Sequence, residues 1–135
     1  MKIKAIRVRG VSAPIKRPLT TSVGTVASAA LLLIDLQTDE GVTGRSYLFG
    51  IGKHNLPPIA KLVEAMAEMV KGDELAPLDL ERKLRAKYAL LGVHNIVLFA
   101  IAAWSGAPAD FTYSSMMVFE LAIASGAFSD NVAVI

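Results

Sequence analysis

The chain has 135 residues, 53% of them hydrophobic and 19% charged, a balance that suits one packed domain and excludes disorder. A (β/α)₈ barrel takes about 250 residues and seldom fewer than about 200, so that architecture is excluded as well. The net charge of +2 asks for no nucleic acid, and the absence of cysteine excludes disulfides and thiolate chemistry and fits a reducing, cytoplasmic compartment.

The opening Met-Lys-Ile-Lys-Ala-Ile-Arg alternates charge with apolar residues and is not expected to be a signal peptide. Ile6 and Val8 alternate with Arg7 and Arg9, so residues 3–13 read as a strand with one buried and one basic face, ended or edged by Pro14. A polar loop then leads into residues 30–37, which are apolar and end in alternation. Asp39-Glu40-Gly41 supplies a turn, and residues 42–49 alternate again, which predicts a β-hairpin. Gly24 and Gly41 stand where a tight or positive-φ backbone is wanted, and Gly44 where a strand glycine marks a bulge or a close approach. Three antiparallel strands in a meander need cover on their apolar face.

Helices are expected to provide it. Pro57-Pro58 opens one whose Ile59, Leu62, Val63, Met66, Met69 and Val70 recur at helical spacing, and Gly72 ends it. Asp79 is expected to cap a second, with Leu80, Leu84, Tyr88 and Leu91 on one stripe that Gly92 ends. Asn95 precedes a third that is apolar on all sides, which implies burial on several faces. Its apolar run, from Ile96 to Trp104, is nine residues, about half of the roughly 18 that a membrane span needs. Gly106-Ala107-Pro108 breaks it, and Ser114-Ser115 is placed to cap a short helix over residues 116–125. Residues 1–53 carry eight basic side chains against three acidic ones, whereas no Lys or Arg occurs after Ser105. The composition therefore divides the chain into a domain over 1–105 and a divergent extension over 106–135.

Several stretches, Ser22-Val23-Gly24-Thr25-Val26, Leu33-Ile34-Asp35-Leu36 and Gly44-Arg45-Ser46-Tyr47-Leu48-Phe49, closely resemble the amino-terminal capping domain of mandelate racemase and its relatives in the enolase superfamily, which include muconate lactonizing enzyme. The resemblance covers roughly Ile3 to Trp104. It implies an α+β fold, a three-stranded antiparallel meander followed by about three helices. Complete relatives use a divalent metal, normally Mg²⁺, and bases on a barrel to abstract the proton α to a carboxylate. In the family the loop over residues 19–26 closes on the barrel mouth and shapes the substrate pocket, and the matching contact positions are Leu19, Thr21 and Val26. A further contact, aromatic in the family, is Ile51 here, which weakens any expectation of a phenyl-bearing substrate. Relatives continue from the third helix through Trp-Asp into the first barrel strand; here Ser105 follows Trp104, and Ala100 stands where they carry an acidic residue.

No other group carries a convincing chemistry. His54 and His94 each lack a partner at ligand spacing. Lys2-Ile3-Lys4 matches the Lys-x-Lys pattern of enolase-superfamily barrels, but at the start of the first strand it reads as solvated surface. Asp73 and Glu74 fall in an open loop, and Glu64 and Glu68 on a polar helix face. Ser-His-Asp order, a nucleophile elbow, a Walker loop and a dinucleotide fingerprint are all absent from the sequence. The reading is of a truncated mandelate racemase-like protein, a cap that shapes specificity for a 2-hydroxy acid or acid sugar and is inactive alone, with no catalytic or metal residues and no cofactor of its own. The alternative is a free-standing protein-interaction module on the cap fold. Either way the expected partner is a barrel domain, or another copy of the chain, on an apolar face.

Overall fold

The computed structural model describes residues 1–105 and 133–134. Strands β1 (Ile3–Thr21), β2 (Gly24–Thr38), β3 (Thr43–Phe49) and β4 (Ala133–Val134) form one antiparallel sheet in the order β3-β2-β1-β4. Helices α1 (Leu56–Val70), α2 (Pro77–Lys87) and α3 (Asn95–Ser105) follow the third strand. The first three strands are the expected meander. To them the sheet adds β4, which pairs Val134 with Val11 and Ala133 with Ser12.

Alternation along the strands decides which face is covered. Ala30, Leu32 and Ile34 of β2 and Leu48 of β3 join Ile59, Val63, Met66 and Val70 of α1 in one buried cluster. Leu80 and Leu84 of α2 and Val97, Ala100, Ile101 and Trp104 of α3 complete it. Their spacing on α3 is i, i+3, i+4 and i+7, so this apolar helix still directs one stripe inward while Ile96 is exposed. Met69, by contrast, faces solvent and does not extend the stripe of α1.

Local expectations are corrected at Gly44, Asp79 and Leu91, and at Pro14 one of two alternatives is decided. Pro14 edges its strand rather than ending it: it sits opposite Ser28, and after a slip the ladder resumes at Leu19 and Val26. Beyond Ser12 no described strand flanks the other edge of β1, where a residue without an N–H is tolerated. Gly44 marks neither bulge nor close approach, since β2 and β3 pair without a slip and nothing lies within 4 Å of where its Cβ would be. Asp79 does not cap α2, which opens at Pro77, whose φ is preset for a first turn; Asp79 instead pairs with Arg82 at 2.8 Å. Because α2 stops at Lys87, Leu91 lies beyond it and is exposed. The break at residues 106–108 and the helix over 116–125 lie outside the described residues.

Candidate functional site

The sequence-derived site becomes a paired ribbon rather than an open loop. Leu19 stands opposite Val26, Thr20 opposite Thr25 and Thr21 opposite Gly24, which leaves only Ser22 and Val23 in the turn. Thr21 closes the tip: its Oγ1 donates to the carbonyl of Gly24 at 2.8 Å and accepts the N–H of Val23 at 3.4 Å. Gly24, at φ +150°, adopts a backbone that L side chains rarely reach. Opposed residues of a ladder share a face, and so do alternate residues along one strand, so Leu19, Thr21 and Val26 lie together on one side of the tip. Leu19 and Thr21 are exposed, and Val23 at the apex is 96% exposed.

The base of the ribbon is anchored while its side is irregular. Between the pairs Pro14–Ser28 and Leu19–Val26, β1 places Ile15, Lys16, Arg17 and Pro18 where β2 places only Ala27. Ile15 and Ala29 are buried, with Val26, Leu31, Tyr47 and Phe49 packed against them. Phe49 ends β3 opposite Leu31, so the seven-residue reach of β2 from Leu31 back to Gly24 overhangs the third strand, by roughly 24 Å at strand rise. The irregular segment Lys16-Arg17-Pro18 interrupts the ladder between the anchored base and the paired tip.

Ile51 lies at the same end of the sheet, directly after β3. Its φ is +63°, and the N–H of Gly52 donates to the carbonyl of Gly50 at 2.6 Å, the pattern of a γ-turn centred on a β-branched residue. The turn is held in place, because the N–H of Gly50 donates to Ala30 and Asn55 Nδ2 donates to the carbonyl of Gly50, both at 2.8 Å. The Ile51 side chain is 56% exposed, so the strain serves no core contact. Sequence reasoning named Ile51 only by resemblance and missed its strain; the glycines on either side were the available signal.

The remaining candidates do not converge. His54 and His94 are exposed and lie on separate connections, and Lys2 and Lys4 are exposed at the start of β1. Glu64 pairs with Lys61 at 2.9 Å, Glu68 with Lys71 at 3.9 Å, and Asp73 with Lys83 at 2.6 Å. Among the described residues no group of three or more His, Asp or Glu side chains comes together to hold a metal ion.

A family model described as the mandelate racemase / muconate lactonizing enzyme N-terminal domain matches residues 3–112. The chain belongs to that family. Its match runs past Trp104, and the sheet-and-helix order is that of the family's amino-terminal domain. An enolase from Bradyrhizobium, complexed with magnesium and mandelic acid, is 39% identical with a TM-score of 0.71, over 77% of this chain and 29% of that one. An enolase from the alpha proteobacterium BAL199 with bound magnesium is 27% identical with a TM-score of 0.72, over the same 77% and 29%. L-talarate dehydratase from Polaromonas, complexed with magnesium and L-glucarate, is 19% identical with a TM-score of 0.65 over 77% and 30%, a likeness of fold alone. The chain thus spans under a third of the length of these structures and corresponds to their N-terminal domain. Among the described residues no helix is long and apolar enough to cross a membrane.

Proposed function

We propose that this mandelate racemase-family domain acts as a cap, closing its β1–β2 ribbon over a barrel active site that turns over a small carboxylate, a 2-hydroxy acid or an acid sugar. The observation that carries the reading is the overhanging ribbon, with Leu19, Thr21 and Val26 on one side of a tip that no described strand flanks. An apolar pair beside one hydroxyl can exclude water from a polar reaction and select substrates by shape, without supplying a reacting group. Ile51, held rigid beside the ribbon's base, would add a branched apolar contact. Magnesium and the bases that take the α proton would come from the barrel. The exposed Ile96 on α3 favours that end of the helix as part of the docking face.

The test is a chimaera in which residues 1–104 of this chain replace the equivalent domain of the Bradyrhizobium relative. The chimaera is expected to exchange the α proton of mandelate or a related acid in deuterated solvent with magnesium present. Leu19→Ala and Val26→Ala should change the ratio of kcat/KM between small and bulky acids by about tenfold, the worth of a pocket contact of one or two methylenes. Unchanged ratios in an active chimaera would remove the ribbon from specificity. The chain alone is expected to show no exchange, and turnover by it would overturn the capping role.

A further inference from the structure

The edge of β1 offers a second surface, separate from the ribbon and independent of the capping role. At its start the edge is covered: the N–H of Ile3 donates to the carbonyl of Asp73 at 3.0 Å, and the N–H of Gly72 donates to the carbonyl of Ile3 at 2.8 Å. Farther along, Val11 and Ser12 pair with β4. Between these two covers, residues 5–10 pair with β2 on one side and with no described strand on the other. An edge left open among the described residues is a template for another extended chain.

What lies on either side of this edge defines what it would take. On the helix side, a groove of about 330 Å³ opens between Val8, Arg9, Gly10 and Leu32 of the sheet and Leu56, Pro57 and Ala60 of α1, and its lining is mostly apolar. A smaller groove of about 110 Å³ beside Ile3 and Ala5 is walled by Glu64, Glu68 and Lys71, so only the larger one suits an apolar anchor. On the opposite face Asp35 is the register partner of Arg7, yet its oxygens go to Arg9 at 3.3 Å and Arg45 at 3.6 Å. Two arginines therefore share one carboxylate, and Arg7 beside them has no ion pair among the described residues.

We infer that residues 5–10 form a strand-addition site for an extended protein segment that alternates apolar and acidic residues. A strand laid there runs roughly 4.8 Å from β1, and its side chains fall alternately on the two faces. Those on the helix side drop into the groove beside Val8. Those on the other side stand next to Arg7 and Arg9, where a carboxylate completes an unequal cluster and an ammonium is repelled. Backbone bonds supply the affinity, and the arginines supply the choice of partner.

The test uses the full chain with two synthetic hexapeptides, one alternating leucine and glutamate, the other leucine and lysine. Binding is read by fluorescence anisotropy and by amide hydrogen exchange. The glutamate peptide is expected to bind, to slow exchange over residues 5–10, and to bind about tenfold more tightly than the lysine peptide, the size of reversing one or two exposed charge pairs. Arg7→Glu, an exposed change that leaves the core intact, should invert the order of the two peptides. Ala60→Trp should fill the groove and weaken the glutamate peptide with the circular dichroism spectrum unchanged. Failure of both peptides to bind overturns the inference, as does equal binding of the two to the native chain and to Arg7→Glu. So does strong protection of residues 5–10 in the free monomer, which would mean that the chain covers its own edge. Protection that rises with protein concentration and without peptide would assign the edge to a second copy, and would overturn it too.

Discussion

Ile51 and Trp104 each hold a feature that no ordinary packing rule would choose. A β-branched residue at positive φ costs on the order of 1–3 kcal/mol, against less than about 1 kcal/mol for the extra freedom of glycine in the unfolded chain. Ile51→Gly is therefore expected to raise stability by about 1 kcal/mol in urea unfolding, and a loss would mean that its side chain is held by more than its turn. Trp104 is 5% exposed, and its Nε1 has no hydrogen-bond partner among the described residues. An unsatisfied buried donor costs about 1–3 kcal/mol, so Trp104→Phe should change stability by less than about 1 kcal/mol, the lost volume offset by the lost penalty. A neighbouring position behaves oppositely. Ala100 is 0% exposed within the apolar cluster, and Ala100→Glu, which puts a carboxyl where the resembled relatives carry an acid, should cost about 3 kcal/mol or more because it buries a charge among apolar side chains. At the β2–β3 turn, the N–H of Lys2 donates to Asp39 at 2.7 Å and holds its carboxyl below the usual aspartate range. A depressed carboxyl contributes stability that is present above its unfolded pKa, near 4, and lost as pH falls through its folded value. Asp39→Asn should accordingly flatten the acid limb of the stability–pH curve below about pH 4 and leave neutral pH little changed in slope.

Among the elements, the β1–β2 ribbon is a composite of rigid and loose parts. The Leu19–Val26 and Thr21–Gly24 pairs tie its tip, whereas residues 15–18 face a single residue of β2. A flexible loop without internal pairing would exchange all its amides fast, but a ladder interrupted by an irregular segment protects those at the tip more than those in the segment. Amide exchange should therefore show residues 16 and 17 faster than residues 19–21, and both faster than residues 32–36 at the centre of the sheet. Uniformly fast exchange over 16–26 would restore the open-loop description. The same segment carries Lys16 and Arg17, which stay solvated as long as Ile15 remains buried beneath them.

At the scale of the molecule, the larger buried cluster joins β1, through Ile3, with β2, β3 and all three helices. Elements that share one core unfold together, so fluorescence of Trp104, the sole tryptophan, and far-ultraviolet circular dichroism are expected to give coincident transitions in urea. Separate transitions would divide α3 from the sheet. The described residues correspond to under a third of the length of the related structures, so the transition reports on the N-terminal domain alone.

The sequence alone was enough for the three-stranded meander and the three helices, though not for β4. Alternation about Arg7, Arg9 and Asp35 and the helical spacing of Ile59, Val63, Met66 and Val70 are local consequences of backbone period, and a run of matching residues made the family legible. Periodicity could not show where β1 stops, because whether Pro14 breaks a strand depends on what lies on its other side. Nor could it show that Leu19, Thr21 and Val26 share one side, since that follows from a cross-strand register set by the slip at residues 15–18. The strain at Ile51 and the shared carboxylate of Arg9 and Arg45 were hidden for the same reason. Each joins residues distant in sequence or forces a backbone through hydrogen bonds to another strand, and such constraints exist only once the chain has folded.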